Sequence, residues 1–257
     1  MTPHPIPAFS DNYIWAWHDG QRAAVVDPGE SSGVLAWLSA EHVVLDTILI
    51  THHHADHTGG VAELREATGA RVIGPVKENM PEPLRRVGDG DSVTVLGHAF
   101  TVIAVPGHTA GHIAYFCADW HGVPLLFCGD TLFSAGCGRL FEGTPAQMHA
   151  SLLRLSNLPD TTRVFCTHEY TLANLKFALT VEPHNLTLIH YNLACIGLRE
   201  KGLPTLPSSM ALEKAINPFL RPDKPQVAAA AQAHAPHLSH PDVQAVFTTL
   251  REWKNNF

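Results

Sequence analysis

The segment Thr51-His52-His53-His54-Ala55-Asp56-His57 follows an apolar run over residues 45–50 and precedes Thr58-Gly59-Gly60, where a helical pattern begins. Five of its side chains, four histidines and one aspartate, are of types that bind metals, and they cannot all point the same way on a regular helix or strand. A tight loop between a strand and a helix allows them to converge. We therefore predict a metal-binding loop, with His53 left out of the ligand set. The predicted ligands are His52, His54, Asp56 and His57.

Three further candidate ligands lie just past the ends of later apolar runs. His108 follows the run 100–105, Asp130 follows 125–128, and His168 follows 163–166. Because these runs are short and rich in β-branched and aromatic residues, they predict strands. Ligands of α/β folds gather at the carboxyl ends of strands. We therefore expect these three side chains to join the histidine-rich loop.

The seven candidates are nitrogen and oxygen donors, and they exceed what one tetrahedral zinc ion uses. They fit two metal ions about 3.5–4 Å apart with a carboxylate between them. Such donors suit zinc, iron or manganese, and the sequence does not choose among them. The sequence predicts two divalent metal ions, and we expect zinc, with iron and manganese as alternatives.

The composition excludes several classes of protein. The 257 residues are 45% apolar and 16% charged, which is typical of a globular chain and not of a disordered one. A formal net charge of −7 argues against a nucleic-acid partner. No stretch of about 18 apolar residues and no secretory leader is readable, so we expect no membrane partner. Five cysteines without a CxxC pair predict reduced thiols and a cytoplasmic location. We expect a monomer.

The pattern of the chain changes near residue 171. Strand-like runs alternate with helical patterns before it, and the later pattern is helical. The later helices are predicted near 172–199, 209–216, 223–234 and 241–253. We therefore predict an α/β catalytic domain over residues 1–171 and a helical domain over residues 172–257.

With the later ligands added, the T-H-x-H-x-D-H pattern resembles the metallo-β-lactamase fold superfamily. Other motifs resemble one of its members, the glyoxalase II family of hydroxyacylglutathione hydrolases. They are Ser10-Asp11-Asn12-Tyr13, Val105-Pro106-Gly107-His108-Thr109-Ala110-Gly111-His112, Gly129-Asp130-Thr131-Leu132-Phe133, Gly136-Cys137-Gly138-Arg139, His168-Glu169-Tyr170-Thr171, Val181-Glu182-Pro183 and Asn217-Pro218-Phe219-Leu220-Arg221. The resemblance implies a four-layer αβ/βα sandwich with a C-terminal helical domain. It also implies hydrolysis of S-D-lactoylglutathione to glutathione and a 2-hydroxy acid, the second step of methylglyoxal detoxification.

The resemblance also implies a role for each ligand. His52, His54 and His108 would hold the first metal, and Asp56, His57 and His168 the second, with Asp130 as the bridge. Asp56 and Asp130 would act in catalysis as ligands around a hydroxide shared by the metals. Asp27, at another strand end, is a candidate to orient an imidazole.

The family's contacts to glutathione would fall on Arg139, Tyr170, Arg221 and Lys224. Because glutathione carries two carboxylates and the chain is acidic, local cations would be needed to bind it. One position departs from the family, since Phe141 stands where a tyrosine is usual. A hydroxyl contact to glutathione would be lost there, at a cost of about 1 kcal/mol.

Three rival functions stay open at this point. A persulfide dioxygenase with one iron would use the same scaffold and a glutathione-linked substrate, but fewer metal ligands and no segment ending in Asn217-Pro218-Phe219-Leu220-Arg221. Another hydrolase of the superfamily, such as a β-lactamase, would leave the C-terminal segment without a role. A non-catalytic zinc protein would need only four ligands.

Overall fold

The first sheet positions the histidine-rich loop. The computed structural model describes residues 2–236 and 242–257. Six strands form this sheet in sequential order, antiparallel from β1 to β3 and parallel from β3 to β6. The strands are β1 (His4–Ala8), β2 (Asn12–His18), β3 (Arg22–Val26), β4 (Val44–Leu49), β5 (Arg71–Pro75) and β6 (Arg85–Val87).

The second sheet positions the remaining candidate ligands. Its six strands run in the order β14-β13-β10-β9-β8-β7, and β10 and β13 are its parallel pair. The strands are β7 (Ser92–Val95), β8 (His98–Ala104), β9 (Ile113–Trp120), β10 (Val123–Gly129), β13 (Arg163–Cys166) and β14 (Ser208–Ser209). A short hairpin of β11 (Leu132–Phe133) and β12 (Gly136–Cys137) follows β10.

Nine α-helices and one 3₁₀ helix (Pro218–Leu220) lie within the described residues. The sequence sets the first residue of α4, because Thr144 directly before Pro145 and Gln147 within the first turn form a reciprocal capping box. The helices are α1 (Ser32–Glu41), α2 (Ala55–Thr58), α3 (Val61–Thr68), α4 (Pro145–Ser156), α5 (Thr171–Val181), α6 (Leu186–Glu200), α7 (Met210–Ile216), α8 (Pro225–His234) and α9 (Val243–Asn255).

The two sheets pack face to face and helices cover both outer faces. Aromatic side chains fill the space between the sheets, and Trp15 of the first sheet meets Phe165 of the second edge-on at 4.9 Å. Val34 of α1 and Leu64 of α3 are buried against the outer face of the first sheet. Met148 of α4 belongs to the core of the second sheet. The predicted αβ/βα sandwich is confirmed.

The described part of residues 172–257, the C-terminal segment, is mainly helical as predicted, but it shares the core of the second sheet. Phe247 and Leu250 of α9 are buried in that core, and β14 pairs with β13. The predicted helix over 172–199 is two helices, since Pro183 lies between α5 and α6. The predicted start of the last helix at Pro241 lies outside the described residues. The boundary after residue 171 stays a prediction.

The helix α6 buries one face and exposes another that is also apolar. Leu186 and Leu193 are 69% and 62% exposed, whereas Leu188 and Cys195 are buried. Contacts to α5 and α7 decide which face is covered.

No described helix has both the length and the apolar character needed to cross a bilayer. All five cysteines are buried and unpaired.

Candidate metal centre

The candidate ligands come from four strand ends that meet at one edge of the sandwich. The histidine-rich loop and α2 follow β4, His108 follows β8, Asp130 follows β10, and His168 follows β13. Gly129 makes the close approach possible, because its φ is +49° and a Cβ there would lie 2.4 Å from the Thr51 hydroxyl oxygen. The structure therefore brings together all seven residues that the sequence predicted.

Three imidazoles form the first donor group. His54 Nδ1 lies 3.0 Å from His52 Nε2 and 3.0 Å from His108 Nε2. His52 and His108 are buried, and His54 is partly exposed toward a cleft. Three nitrogen lone pairs can thus point at one place that solvent reaches from a single side.

A carboxylate and two imidazoles form the second donor group. Asp56 Oδ2 lies 3.4 Å from His57 Nε2 and 3.5 Å from His168 Nε2. Asn12 donates its side-chain amide to the same Asp56 oxygen over 3.1 Å, which fixes the carboxylate.

Asp130 lies between the two groups and contacts both. Its Oδ2 is 3.4 Å from His108 Nε2 in the first group and 3.3 Å from His168 Nε2 in the second. Its Oδ1 is 3.5 Å from His57 Nε2. This is the position of a carboxylate that can bridge two cations.

The donor separations fit metal ions. Bonds of about 2.0–2.1 Å in a tetrahedron place neighbouring donors about 3.3 Å apart, which is the spacing observed here. His57 Nε2 and Asp130 Oδ1 are buried and have no hydrogen-bond partner among the described residues. Buried polar atoms in native proteins are normally satisfied. A divalent cation in the second group would satisfy both atoms.

Outer hydrogen bonds orient the imidazoles. The Nδ1–H of His108 donates to the Arg139 carbonyl over 2.8 Å, and that of His168 donates to Asp11 Oδ1 over 2.8 Å. Each bond leaves Nε2 with its lone pair directed at the donor group. Sequence reasoning missed Asp11, although it lies within the motif Ser10-Asp11-Asn12-Tyr13.

Asp27, predicted as an orienting carboxylate, lies beside an imidazole of the second group and is linked to one of the first group through Thr51. Its Oδ2 accepts from the Thr51 hydroxyl over 2.7 Å and lies 3.1 Å from His57 Nδ1. Thr51 in turn lies 3.1 Å from His52 Nδ1. One buried carboxylate therefore supports an imidazole in each group.

His112 is a second residue that sequence reasoning left without a role. Its ring is fully buried, stacks on His52 with centroids 4.6 Å apart, and accepts the Asp130 backbone N–H at Nε2 over 3.1 Å. The repeated histidine in the motif over residues 105–112 was the available signal.

The imidazoles of the two groups differ in their protonation. Burial holds the pKa of His52, and to a lesser degree those of His54 and His108, below the usual value. Burial opposes the charge on His57 and His168 too, but the nearby carboxylates together outweigh it and raise the pKa of both, Asp130 with Asp27 at His57 and Asp130 with Asp11 at His168. The first group is thus neutral and ready to bind a cation, whereas the second holds its protons more firmly.

A cleft of about 680 Å³ opens above the two groups. Tyr170 stacks on His168 with centroids 4.6 Å apart, and Phe141 stands edge-on to His54 at 5.4 Å. The residues that line the cleft are His54, Ala55, Asp56, His108, Asp130, Phe133, Arg139, Phe141, His168 and Tyr170.

Two predicted glutathione contacts do not line this cleft. Arg221 donates from Nε and Nη2 to the Glu182 carboxylate, both over 2.9 Å, and from Nη1 to the Lys214 carbonyl over 3.1 Å. Lys224 is exposed and pairs with Asp223 over 2.9 Å. The contacts of Arg221 and Lys224 with glutathione stay predictions, since neither side chain lines the cleft and Arg221 donates to an ion pair within the C-terminal segment.

Comparison with known proteins agrees with this geometry. A sequence model of the metallo-beta-lactamase superfamily matches residues 7–168, and one of the hydroxyacylglutathione hydrolase C-terminus matches residues 169–257. A protein of Albidiferax ferrireducens named hydroxyacylglutathione hydrolase is 60% identical over 98% of both chains. The chain belongs to the hydroxyacylglutathione hydrolase family. The resemblance noted from the sequence motifs is confirmed.

Solved structures place this family member among related folds. The structure of ETHE1 from Myxococcus xanthus aligns with 99% of this chain, and the alignment covers 98% of ETHE1. The TM-score is 0.66 and the sequence identity is 27%. TTHA1623, solved in a di-iron-bound form, aligns with 65% of this chain, and the alignment covers 92% of TTHA1623. The TM-score is 0.53 and the sequence identity is 30%. Both share the sandwich.

Proposed function

We propose that this protein hydrolyses S-(2-hydroxyacyl)glutathione thioesters, S-D-lactoylglutathione among them, at a centre of two divalent metal ions. The observation that carries the proposal is the pair of three-donor groups that share one carboxylate, Asp130. Membership of the hydroxyacylglutathione hydrolase family supports the substrate class.

Each donor group would hold one cation, with Asp130 as the bridge. Two such cations, when bound, supply a nucleophilic water at neutral pH and stabilise negative charge on a carbonyl oxygen. We propose zinc as the metal. The imidazole and carboxylate donors also suit iron and manganese, and metal analysis decides among the three.

The chain's own residues support attack by water. The described residues that line the cleft include no serine, threonine, cysteine or lysine that could form an acyl intermediate. Asp56 and Asp130 are ionised, because the neighbouring imidazoles outweigh burial and lower the pKa of each carboxyl. Both face imidazole nitrogens, so we assign them to cation binding and not to proton abstraction.

The cleft suits the peptide part of a glutathione thioester. Arg139 lines it and is the cation proposed to meet a glutathione carboxylate. Tyr170 offers a hydroxyl beside the second group, while Phe133 and Phe141 give the rim an apolar surface. We propose Arg139 and Tyr170 as the substrate contacts within the cleft, and Arg221 pairs with Glu182 outside it.

The decisive experiment compares kcat/KM for S-D-lactoylglutathione with that for a simple thioester without the peptide, and measures metal content on the same sample. We expect two cations per chain and a strong preference for the glutathione thioester. Equal kcat/KM for the two thioesters would contradict the proposed substrate class.

The same sample tests the rival persulfide dioxygenase. That enzyme would need one iron and would consume oxygen, whereas thioester hydrolysis proceeds at the same rate in anaerobic buffer. The cytoplasmic location and the monomeric state stay predictions. Size-exclusion chromatography with light scattering tests the second.

A further inference from the structure

The segment of residues 11–13, which we call the β2 entry, contacts two of the three donors of the second group. Asp11 Oδ1 accepts the Nδ1–H of His168 over 2.8 Å, and the Asn12 side-chain amide donates to Asp56 Oδ2 over 3.1 Å. Each contact constrains one donor from outside the group. The place of the β2 entry therefore decides how this imidazole and this carboxylate are directed.

The β2 entry is bonded in turn to the chain on both sides of His168. The Glu169 N–H donates to the Asp11 carbonyl over 2.8 Å, and the Tyr13 N–H donates to the Thr167 carbonyl over 2.6 Å. Because β2 and β13 belong to different sheets, these bonds form an isolated bridge and not part of a longer ladder. A side-chain link between the two segments would therefore stabilise their contact.

The Glu169 carboxylate supplies that link. Its Oε2 accepts the Tyr13 hydroxyl over 2.9 Å. Thr205, in the loop between α6 and β14, donates its N–H to the same oxygen over 2.8 Å and its hydroxyl to Oε1. Arg199 Nη1 lies 3.9 Å from Oε2. The Glu169 side chain is 7% exposed, so these protein donors replace water around a buried carboxylate.

The sequence position of Glu169 places this link at the metal centre. Glu169 lies between His168, a donor of the second group, and Tyr170, which stacks on His168 and lines the cleft. Thr205 and Arg199 belong to the C-terminal segment, so the link runs from that segment through Glu169 to the β2 entry. Three segments that are distant in sequence therefore meet at one carboxylate beside the second group.

We propose that Glu169 is a positioning residue of the second donor group. Its carboxylate ties the β2 entry and the C-terminal segment to the chain at His168, and so keeps Asp11 against His168 and Asn12 against Asp56. The inference rests on the proposed function, because it needs the two donor groups to bind cations. It gives the C-terminal segment a role in the metal centre that acts through the outer contacts of the ligands.

The test is a titration of the demetallated protein with Co²⁺, followed by visible absorption. For Glu169→Ala we expect one of the two Co²⁺ equivalents to bind about 10- to 100-fold more weakly, with altered absorption bands, because outer contacts of metal ligands have effects of that size. The other equivalent should bind as in the wild type. Glu169→Gln, which keeps one acceptor oxygen, should recover part of the loss. Tyr13→Phe removes only the hydroxyl contact to the β2 entry and should weaken the same equivalent by a smaller factor.

Variants that keep a single donor group identify the affected equivalent. His54→Ala removes a donor from the first group, so the equivalent that it retains reports on the second group, and His168→Ala gives the reverse. Glu169→Ala should weaken the equivalent retained in His54→Ala and leave the one retained in His168→Ala unchanged. Equal weakening in both backgrounds, or weakening only in His168→Ala, would overturn the proposal.

Glu182→Ala is the matched control. Glu182 is another carboxylate of the C-terminal segment, 6% exposed, and its partner Arg221 lies outside the cleft. Because the change leaves a buried guanidinium without its partner, it should lower thermal stability while both Co²⁺ affinities stay at the wild-type value.

Circular dichroism checks that each variant folds; if Glu169→Ala does not, Tyr13→Phe decides. Wild-type Co²⁺ affinity and spectrum in the folded variants would overturn the proposal, and so would the same change in Glu182→Ala. Fewer than two equivalents in the wild type would instead refute the proposed metal centre.

Discussion

The two donor groups share Asp130 and one cleft, but their surroundings differ. The first group consists of three imidazoles, and an outer partner of one of them, His108, is a neutral backbone carbonyl. The second group contains the Asp56 carboxylate, and its two imidazoles have Asp27 and Asp11 at their outer nitrogens. Carboxylates make the second group more negative and its imidazoles more basic.

This difference indicates that the two groups bind a cation with different strength and with different dependence on pH. The first group needs no proton to leave, because burial already keeps its imidazoles neutral. The second group attracts a cation more strongly but must release protons to bind it. The two positions should therefore be separable by mutation and by pH.

Removal of the Asp130 carboxylate should have the largest effect on turnover and metal content, because it is the one donor that both groups share. We expect Asp130→Ala to lower kcat/KM by at least about a thousandfold, which is about 4 kcal/mol of transition-state stabilisation, and to reduce bound metal below two per chain. Metal analysis and thioester turnover measure this. Asp160→Ala, which removes a surface carboxylate that is 69% exposed, is the control and should change neither. Wild-type turnover in Asp130→Ala would refute the bridge.

Single-ligand variants should separate the groups. His54→Ala removes a donor from the first group only, and His168→Ala removes one from the second only. We expect each to lose one cation and to lower kcat about a hundredfold, since the other group keeps its donors. His53→Ala provides the control within the same loop and should keep both cations. Loss of both cations in each variant would show that the groups do not act separately.

Acid should empty the second group before the first. The raised pKa of His57 and His168 means that protons compete with the cation there as the pH falls through and below neutrality, by up to about tenfold per pH unit for each proton displaced. The lowered pKa of His52 and His54 means that this competition begins at lower pH in the first group. Metal content after dialysis between pH 8 and 5 should fall in two steps. Simultaneous loss of both cations would contradict the electrostatic difference.

The places of the candidate ligands were predictable from sequence because each is fixed locally. A strand end followed by a short loop places its side chain at the sheet edge whatever the rest of the chain does, and this is true of His108, Asp130 and His168. The strands β8, β10 and β13 that precede these residues, and the helices of the C-terminal segment, were predictable for the same reason, since periodicity is a local signal.

What could not be predicted depends on contacts between distant residues. Arg221 lies in a motif that resembles the family's, but its partner Glu182 is 39 positions away and no local pattern reveals the ion pair. The apolar spacing of α6 was correct for a helix, yet only the packing of α5 and α7 decides that Leu188 is buried and Leu193 is not.

The smallest expected effect concerns the rim of the cleft, where the two groups differ again. The second group has the Tyr170 hydroxyl beside it, whereas the first has the bare ring of Phe141, which is 60% exposed and can accept a hydroxyl without repacking. We expect Phe141→Tyr to lower KM for S-D-lactoylglutathione about fivefold, the value of a neutral hydrogen bond of about 1 kcal/mol. The metal content and kcat should not change, and neither should KM for a thioester without the peptide. An altered kcat at constant KM would mean that the ring acts on His54 and His108 and not on glutathione, which would move Phe141 from the substrate side of the cleft to the metal side.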